Sequence, residues 1–343
     1  MNTLRVTGIG LTITISVMLA LLSGCSLYGS GQPTAAIPTR PALGSPTTGL
    51  PASPASGQLT PVLPTLLAPA ATKLATAVAA LKGIPAFDHI FIVVEENHSY
   101  NQIIGSASAP YINSLAAKYG LATHFTAETH PSLPNYLAMI GGDTFGITSD
   151  CTKCFVNAPN LIDRVEASGR SWKGYMESMP VPCTIGDAGT RYAQKHNPFI
   201  YFDDIGTNPT RCNKIVPYSE LAADLTIKAT TPNFVWITPN LCDDMHNCTV
   251  STGDSWLRNN LPTILYSPAW TSQRSLLVIT WDEGFGSSNQ IPTLIIDPSA
   301  KPAYKSAVPY THYSLLRTIE DSWGLQPLTK NDTSAVPMSD FWR

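Results

Sequence analysis

His89-Ile90-Phe91-Ile92-Val93-Val94-Glu95-Glu96-Asn97-His98 is the stretch from which the fold can be read. Its apolar part does not alternate with polar residues and is rich in β-branched side chains. Such a run fits a strand covered on both faces, which is the condition of a strand in a parallel sheet. From about Ile84 onward the same signature returns at Asn233–Ile237, Ser275–Trp281 and Ile291–Ile296. Between these runs, apolar residues at helical spacing predict helices over Ala109–Tyr119, Pro134–Ile140, Asn160–Ala167, Ser219–Lys228, Asp254–Tyr266 and His312–Trp323. Strands alternating with helices predict one doubly wound α/β domain, its sheet mostly parallel and helices on both faces.

In such a sheet ligands bind beyond the carboxyl ends of the strands. There the chain places Glu95-Glu96-Asn97-His98, then Asn240-Leu241-Cys242-Asp243-Asp244-Met245-His246, then Asp282-Glu283-Gly284. Three acidic clusters on one rim repel one another unless cations lie between them. The pattern therefore predicts a divalent metal site, with one or two ions.

Composition narrows the class. The 343 residues carry 21 Lys+Arg against 24 Asp+Glu, a net charge of -3 with no long basic run, which argues against nucleic acid as a partner. Charged residues make up 13% of the chain, about half the usual share, with Ser, Thr, Asn and Pro in their place, as suits a chain outside the cytoplasm.

The amino terminus points the same way. One cation, Arg5, precedes an apolar run from Ile9 to Leu22 that ends in Leu21-Leu22-Ser23-Gly24-Cys25. The run is short against the roughly 20 residues of a membrane span and reads as a secretory signal over residues 1–24, the alternative being a single membrane anchor. Leu-Ser-Gly-Cys resembles a bacterial lipobox, which implies diacylation of Cys25 and a membrane tether. Residues 25–83 then form a linker, rich in Pro, Ala, Ser and Thr as far as about Pro69, ahead of a catalytic domain at 84–343. Apart from Cys25, six cysteines remain, an even number that implies disulfides in an oxidising compartment. Proximity favours Cys151 with Cys154, Cys183 with Cys212, and Cys242 with Cys248; zinc is the rival reading for the Cys151–Cys154 pair.

Thr129-His130-Pro131-Ser132-Leu133-Pro134-Asn135-Tyr136 sets a hydroxyl just before a helical pattern. A helix amino terminus stabilises negative charge, so Ser132 is either a nucleophile beside a bound anion or an ordinary cap.

Val93-Val94-Glu95-Glu96-Asn97-His98-Ser99-Tyr100 resembles the Glu-Asn-(Arg/His)-Ser motif that opens the bacterial phosphoesterase family of acid phosphatases and phospholipases C, within the alkaline phosphatase superfamily. His130–Tyr136 is similar to that family's nucleophile segment, and to the Thr-Phe-Pro-Asn of nucleotide pyrophosphatases with Ser in place of Thr. Lys195-His196-Asn197-Pro198-Phe199, Trp281-Asp282-Glu283-Gly284 and Tyr310–Glu320 follow in the family's order, so the likeness spans about residues 86–325. It implies an alkaline-phosphatase-like core in which Glu96, Asn97, Asp282 and Glu283 bind a divalent metal beside the nucleophile Ser132. It further implies that Asp244, His246 and His312 hold a second metal or position phosphate. His196 then stands as a leaving-group proton donor, and Asn135 and Lys195 join it in binding substrate. Asp243 and Asp244 precede His246 by three and two residues, whereas the superfamily's second-metal motif is commonly Asp, three residues, then His; a one-metal site is equally compatible.

The expected reaction is phosphomonoester hydrolysis by double displacement through phosphoserine. Alternatives are a phospholipase C or phosphodiesterase of the same family, a Ser-His-Asp carboxylic esterase using Asp243 and His246, and a surface lipoprotein without activity. Carboxylate and amide donors suit Ca, Mg or Mn; added histidines suit Zn or Fe. His89, His98 and His124 are read as structural, Trp281 as sheet core, and Asp254 as the cap of the helix that follows it.

Overall fold

A computed structural model describes residues 83–343; the signal segment, Cys25 and the linker up to residue 82 lie outside the described residues. Its centre is an eight-stranded sheet in the order β4-β3-β5-β1-β6-β7-β2-β8. The strands are β1 (His89–Glu95), β2 (Gly120–Thr126), β3 (Trp172–Met176), β4 (Ile215–Pro217), β5 (Phe234–Thr238), β6 (Ser275–Trp281), β7 (Gln290–Ile296) and β8 (Lys305–Ser306). Every pairing is parallel except those of β7, which runs against both β6 and β2. All residues of β1, β5 and β6 are buried, as their unbroken apolar sequence requires.

Four strands lack that signature. In β2 the pairing with β7 shifts between Ala122 and Phe125, with His124 exposed, so no continuous apolar run exists to be read. Gly120, the residue after the helix expected over Ala109–Tyr119, is the first residue of β2. In β3, Lys173 interrupts the run and bonds Asp224 at 2.7 Å, while Gly174 leaves room for the Phe199 ring, which an added Cβ would meet at 2.9 Å. β4 and β8 have three and two residues.

The helices of seven or more residues are α1 (Pro110–Lys118), α2 (Ser132–Gly141), α3 (Leu161–Ala167), α4 (Val250–Leu265) and α5 (His312–Trp323). The helix expected over Ser219–Lys228 is reduced to a 3-10 turn at Tyr218–Glu220 and one α turn at Leu221–Asp224. The Thr230 and Thr231 hydroxyls donate to the Asp224 and Ile227 carbonyls just beyond it and end the ladder there. Asp254 does not cap its own helix, because α4 begins four residues earlier. Its carboxylate instead accepts the backbone N–H groups of Tyr111 and Ile112 at 3.2 and 2.8 Å, capping α1 from a distant element.

Trp172, Trp236, Trp281 and Trp323 fill the core. His89 is structural, its ring nitrogens lying 2.8 Å from the Pro232 carbonyl and 3.1 Å from Gln273. The cysteines pair as Cys151–Cys154, Cys183–Cys212 and Cys242–Cys248, which leaves no thiolate pair for zinc at Cys151 and Cys154.

Candidate active site

Because β5, β1 and β6 are adjacent and parallel, their carboxyl ends bring the three acidic segments side by side. The sheet's bonding continues into them: Glu96 N–H donates to the Asp244 carbonyl at 2.9 Å, and Asp282 N–H to the Glu95 carbonyl at 3.0 Å. Asn97 then turns through φ 48°, a left-handed conformation that Asn tolerates, and its N–H donates to Asp282 Oδ1 at 3.1 Å. Met245 at φ 77° bends the β5 segment in the same way between Asp244 and His246. That bend explains how an Asp and a His two residues apart can both face one centre.

Ser132 is the first residue of α2, a helix whose ten residues are all buried. Its Oγ donates to Glu96 Oε2 at 3.3 Å and lies 3.5 Å from Glu283 Oε1. His196, 3% exposed at the end of a 3-10 turn (Gln194–His196), has Nε2 at 3.2 Å from Glu96 Oε2 and Nδ1 at 3.4 Å from Asp244 Oδ2. Its ring stacks on Tyr136 with centroids 5.4 Å apart, and the Tyr136 hydroxyl donates to Glu96 Oε1. Lys195 Nζ donates to Asp150 Oδ2 at 2.9 Å and lies 3.3 Å from His246 Nε2.

The electrostatics are those of anions packed without enough countercharge. Burial, then Asp282 and Asp244, hold the Glu96 carboxyl well above its ordinary value. Burial raises Asp244 and Asp282 as well. Glu283 is pushed up to about 7 by burial and by Asp282, with His130 pulling the other way. Burial opposes the charge on Lys195, yet Asp150, Glu96 and Asp282 keep it above its usual value. His196 is driven well below its usual value by burial, Lys195 and His246, so it is held neutral. Buried Asp282 Oδ2, Asp244 Oδ2 and His196 Nε2 have no hydrogen-bond partner, and Glu96, His196 and His246 bring ligand atoms within 4.8 Å of one another. This donor set could hold a metal ion.

Two expected site residues have other work. Asn135, expected to bind substrate, has its amide fully used: Oδ1 accepts from the Glu128 and Thr129 N–H groups, and Nδ2 donates to the Thr129 and Pro131 carbonyls. It shapes the turn before the nucleophile. His312, expected as a metal ligand, has Nδ1 paired with Glu128 at 2.7 Å and Nε2 on the Trp281 carbonyl at 3.0 Å. Burial opposes its charge, but Glu128 raises its pKa.

Four residues escaped the sequence reading. Tyr136 was discoverable from its i+4 spacing to Ser132, which puts both on one helix face. His130 hydrogen-bonds Glu283 through Nδ1. Asp150 accepts the Leu133 N–H at 3.0 Å while binding Lys195, tying that lysine to the first turn of α2. Glu128 is the partner of His312. Nothing in the local sequence of these last three marks their partners.

A sequence profile of the Phosphoesterase family matches residues 106–326. Phosphatidylinositol-3-phosphatase of Mycobacterium tuberculosis is 39% identical over 286 residues, covering 80% of this chain and 91% of that protein. The chain belongs to the Phosphoesterase family. This phosphoesterase is also 30% identical to a probable acid phosphatase of Kluyveromyces lactis, over 78% of its own length and 65% of the yeast protein's. It hydrolyses phosphate esters, as its relatives do. In fold the phosphoesterase is similar to an alkaline phosphatase superfamily protein from Vibrio parahaemolyticus, with TM-score 0.50 and 14% identity over 76% of this chain and 78% of that one. It is likewise similar to the lipoteichoic acid synthase LtaP of Listeria monocytogenes, with TM-score 0.52 and 12% identity over 78% and 81%. The core is therefore of the alkaline phosphatase type.

Proposed function

We propose that this phosphoesterase is an exported, lipid-anchored phosphomonoesterase of the acid phosphatase kind, working through a phosphoserine on Ser132. The observation that carries the reading is the seat of Ser132 Oγ at the amino terminus of α2, 3.3 and 3.5 Å from two carboxylates and flanked by the cluster of Lys195, His196 and His246. Relatives named as phosphatases support a monoester substrate. The signal-like amino terminus and three disulfides support export to an oxidising compartment.

The orphaned oxygens fit a divalent cation beside Ser132, with Glu96, Asn97, Asp282 and Glu283 as donors; Glu96 also belongs to the set with His196 and His246. Such an ion, when bound, supplies Lewis-acid polarisation of the phosphoryl oxygens and charge for the serine alkoxide. Ser132 Oγ passes its proton to a neighbouring carboxylate and attacks phosphorus in line. The Oγ–P bond forms, the bond to the leaving oxygen breaks, and that oxygen takes a proton from His246 in its protonated form rather than from His196, expected as the donor but held neutral by burial, Lys195 and His246. Lys195, fixed by Asp150, offsets the charge of the transferring group. Water then attacks the phosphoserine and gives a proton back to the histidine, the Oγ–P bond breaks as phosphate leaves, and the carboxylate returns its proton to Ser132.

The purified chain is expected to hydrolyse p-nitrophenyl phosphate faster than bis-p-nitrophenyl phosphate. Preference for the diester would move the reading to a phospholipase C or phosphodiesterase, and turnover of p-nitrophenyl acetate alone would reject phosphoryl transfer. For the anchor, a Cys25→Ser chain should leave the membrane fraction of expressing cells; equal membrane retention would refute lipidation.

A further inference from the structure

Asp244, Met245 and His246 lie inside the ring that the Cys242–Cys248 disulfide closes. Both cysteines are half-buried, with Asn247 and Thr249 exposed beside them. Met245, at φ 77°, holds a left-handed conformation that a long side chain rarely adopts. Its side chain is buried where Gly253 of α4 leaves room for it, so this residue is anchored by packing. His246 is held differently. Its N–H donates to Asp244 Oδ1 at 2.7 Å and its Nδ1 lies 2.8 Å from Asn247 Oδ1, both partners belonging to the same ring. Its Nε2 faces Lys195 Nζ at 3.3 Å. The Asn247 N–H bond to the Leu241 carbonyl, at 2.6 Å, runs across the ring beside the disulfide.

We propose that Cys242 and Cys248 are positioning residues for the leaving-group acid: the closed bridge aims His246 at the leaving oxygen, and a dithiol reductant that opens it turns down hydrolysis of esters whose leaving group must be protonated. The inference rests on the monoesterase reading above and adds a regulation of that same site. With Nδ1 donating to the Asn247 amide oxygen, the proton that moves belongs to Nε2, and the backbone of residues 246–248 sets where Nε2 points. A covalent closure removes chain freedom that the one backbone bond beside it cannot remove. Opening the bridge therefore leaves Met245 anchored and frees His246. In that step a thiolate of the reductant attacks one sulfur, the S–S bond breaks and a mixed disulfide forms; the reductant's second thiol then displaces it. The ring gains two electrons and two protons as the Cys242 and Cys248 thiols, and the reductant leaves as its own disulfide.

The test compares kcat/KM for methyl phosphate, whose alkoxide must be protonated as it leaves, with that for p-nitrophenyl phosphate, whose phenolate departs without a proton. In Cys242→Ser/Cys248→Ser the alkyl-to-aryl ratio should fall about a hundredfold, the lower end of what a positioned proton donor contributes, while the aryl ester itself loses less than about tenfold. Dithiothreitol should reproduce the fall in the parent in step with thiol labelling of Cys242 and Cys248, reoxidation should reverse it, and the double variant should no longer respond. Cys183→Ser/Cys212→Ser should keep the parent's ratio and its response. His246→Ala should show the lowered ratio already, and a further fall on opening its bridge overturns the link to His246. An equal loss on both esters marks a bridge that only supports the fold and overturns the proposal. So does an unchanged ratio once both thiols are labelled, or a bridge that dithiothreitol leaves closed. Should the double variant fail to fold, the dithiothreitol titration of the parent decides by the same ratio. Failure of the oxidised parent to hydrolyse either ester overturns the monoesterase reading instead.

Discussion

Replacing Ser132 by alanine is expected to lower kcat by about four to six orders of magnitude, the scale seen when a covalent nucleophile is removed. KM should change far less, because the donors around the phosphate remain. The substitution removes one buried oxygen whose neighbours include the Glu96, Glu283 and Asp282 carboxylates, so the fold should tolerate it. Acid quenching of the intact enzyme during turnover should trap phosphate on Ser132, and the variant should trap none. Activity within tenfold of the parent, or a phosphorylated residue elsewhere, would overturn the assignment.

The second large effect concerns the cation. Glu96, Asp244 and Asp282 are buried together, with Glu283 beside them, and all four carboxyls are raised. In a metal-free chain the folded state therefore binds more protons than the unfolded one above the ordinary carboxyl range. Stability should fall as the pH rises through that window, which for Glu283 runs from 4.5 to about 7. A divalent ion at a hundred times its Kd should add about 2.7 kcal/mol, or roughly 5–10 °C in Tm. Chelation should abolish turnover and remove that increment. Asp282→Asn should raise the Tm of the metal-free chain, by deleting a buried charge, and shrink the metal response. A Tm and a turnover indifferent to chelator and to Mg, Mn, Ca, Zn and Fe would sink the metal site.

What could be read in advance follows from the range of the interactions. β1, β5 and β6 announce themselves because double-sided burial leaves no polar position in the run. Once they are parallel neighbours, the convergence of Glu96, Asp244 and Asp282 follows without further information. β2 and β3 hide because an irregular pairing and a half-exposed Lys173 break their patterns. Within the site, residue type indicates what a side chain can do but not whether its capacity is already spent. Asn135 and His312 look like ligands in a motif, yet their polar atoms are taken by Glu128, Thr129, Pro131 and Trp281. Asp150 meets Lys195 across 45 positions of chain, a distance at which no local pattern operates.

The reversal of β7 has a consequence for how such an enzyme can diversify. Had β7 run parallel to β6, the chain after Trp281 would have had to cross a face of the sheet, and Asp282 would have opened a long crossover. Instead residues 282–289 turn back along the rim, placing Asp282, Glu283 and the exposed Phe285 within four positions of each other. Asn289 closes the turn by bonding Gly284 and the Thr129 carbonyl near the nucleophile. The acidic pair Asp282 and Glu283 sits at one pinned end of this segment, Asn289 holds the other, and Phe285 stands exposed at the tip. Substitutions at the tip leave Asp282 and Glu283 in place, so the outer shape of this rim can vary through a lineage while the acidic pair stays fixed.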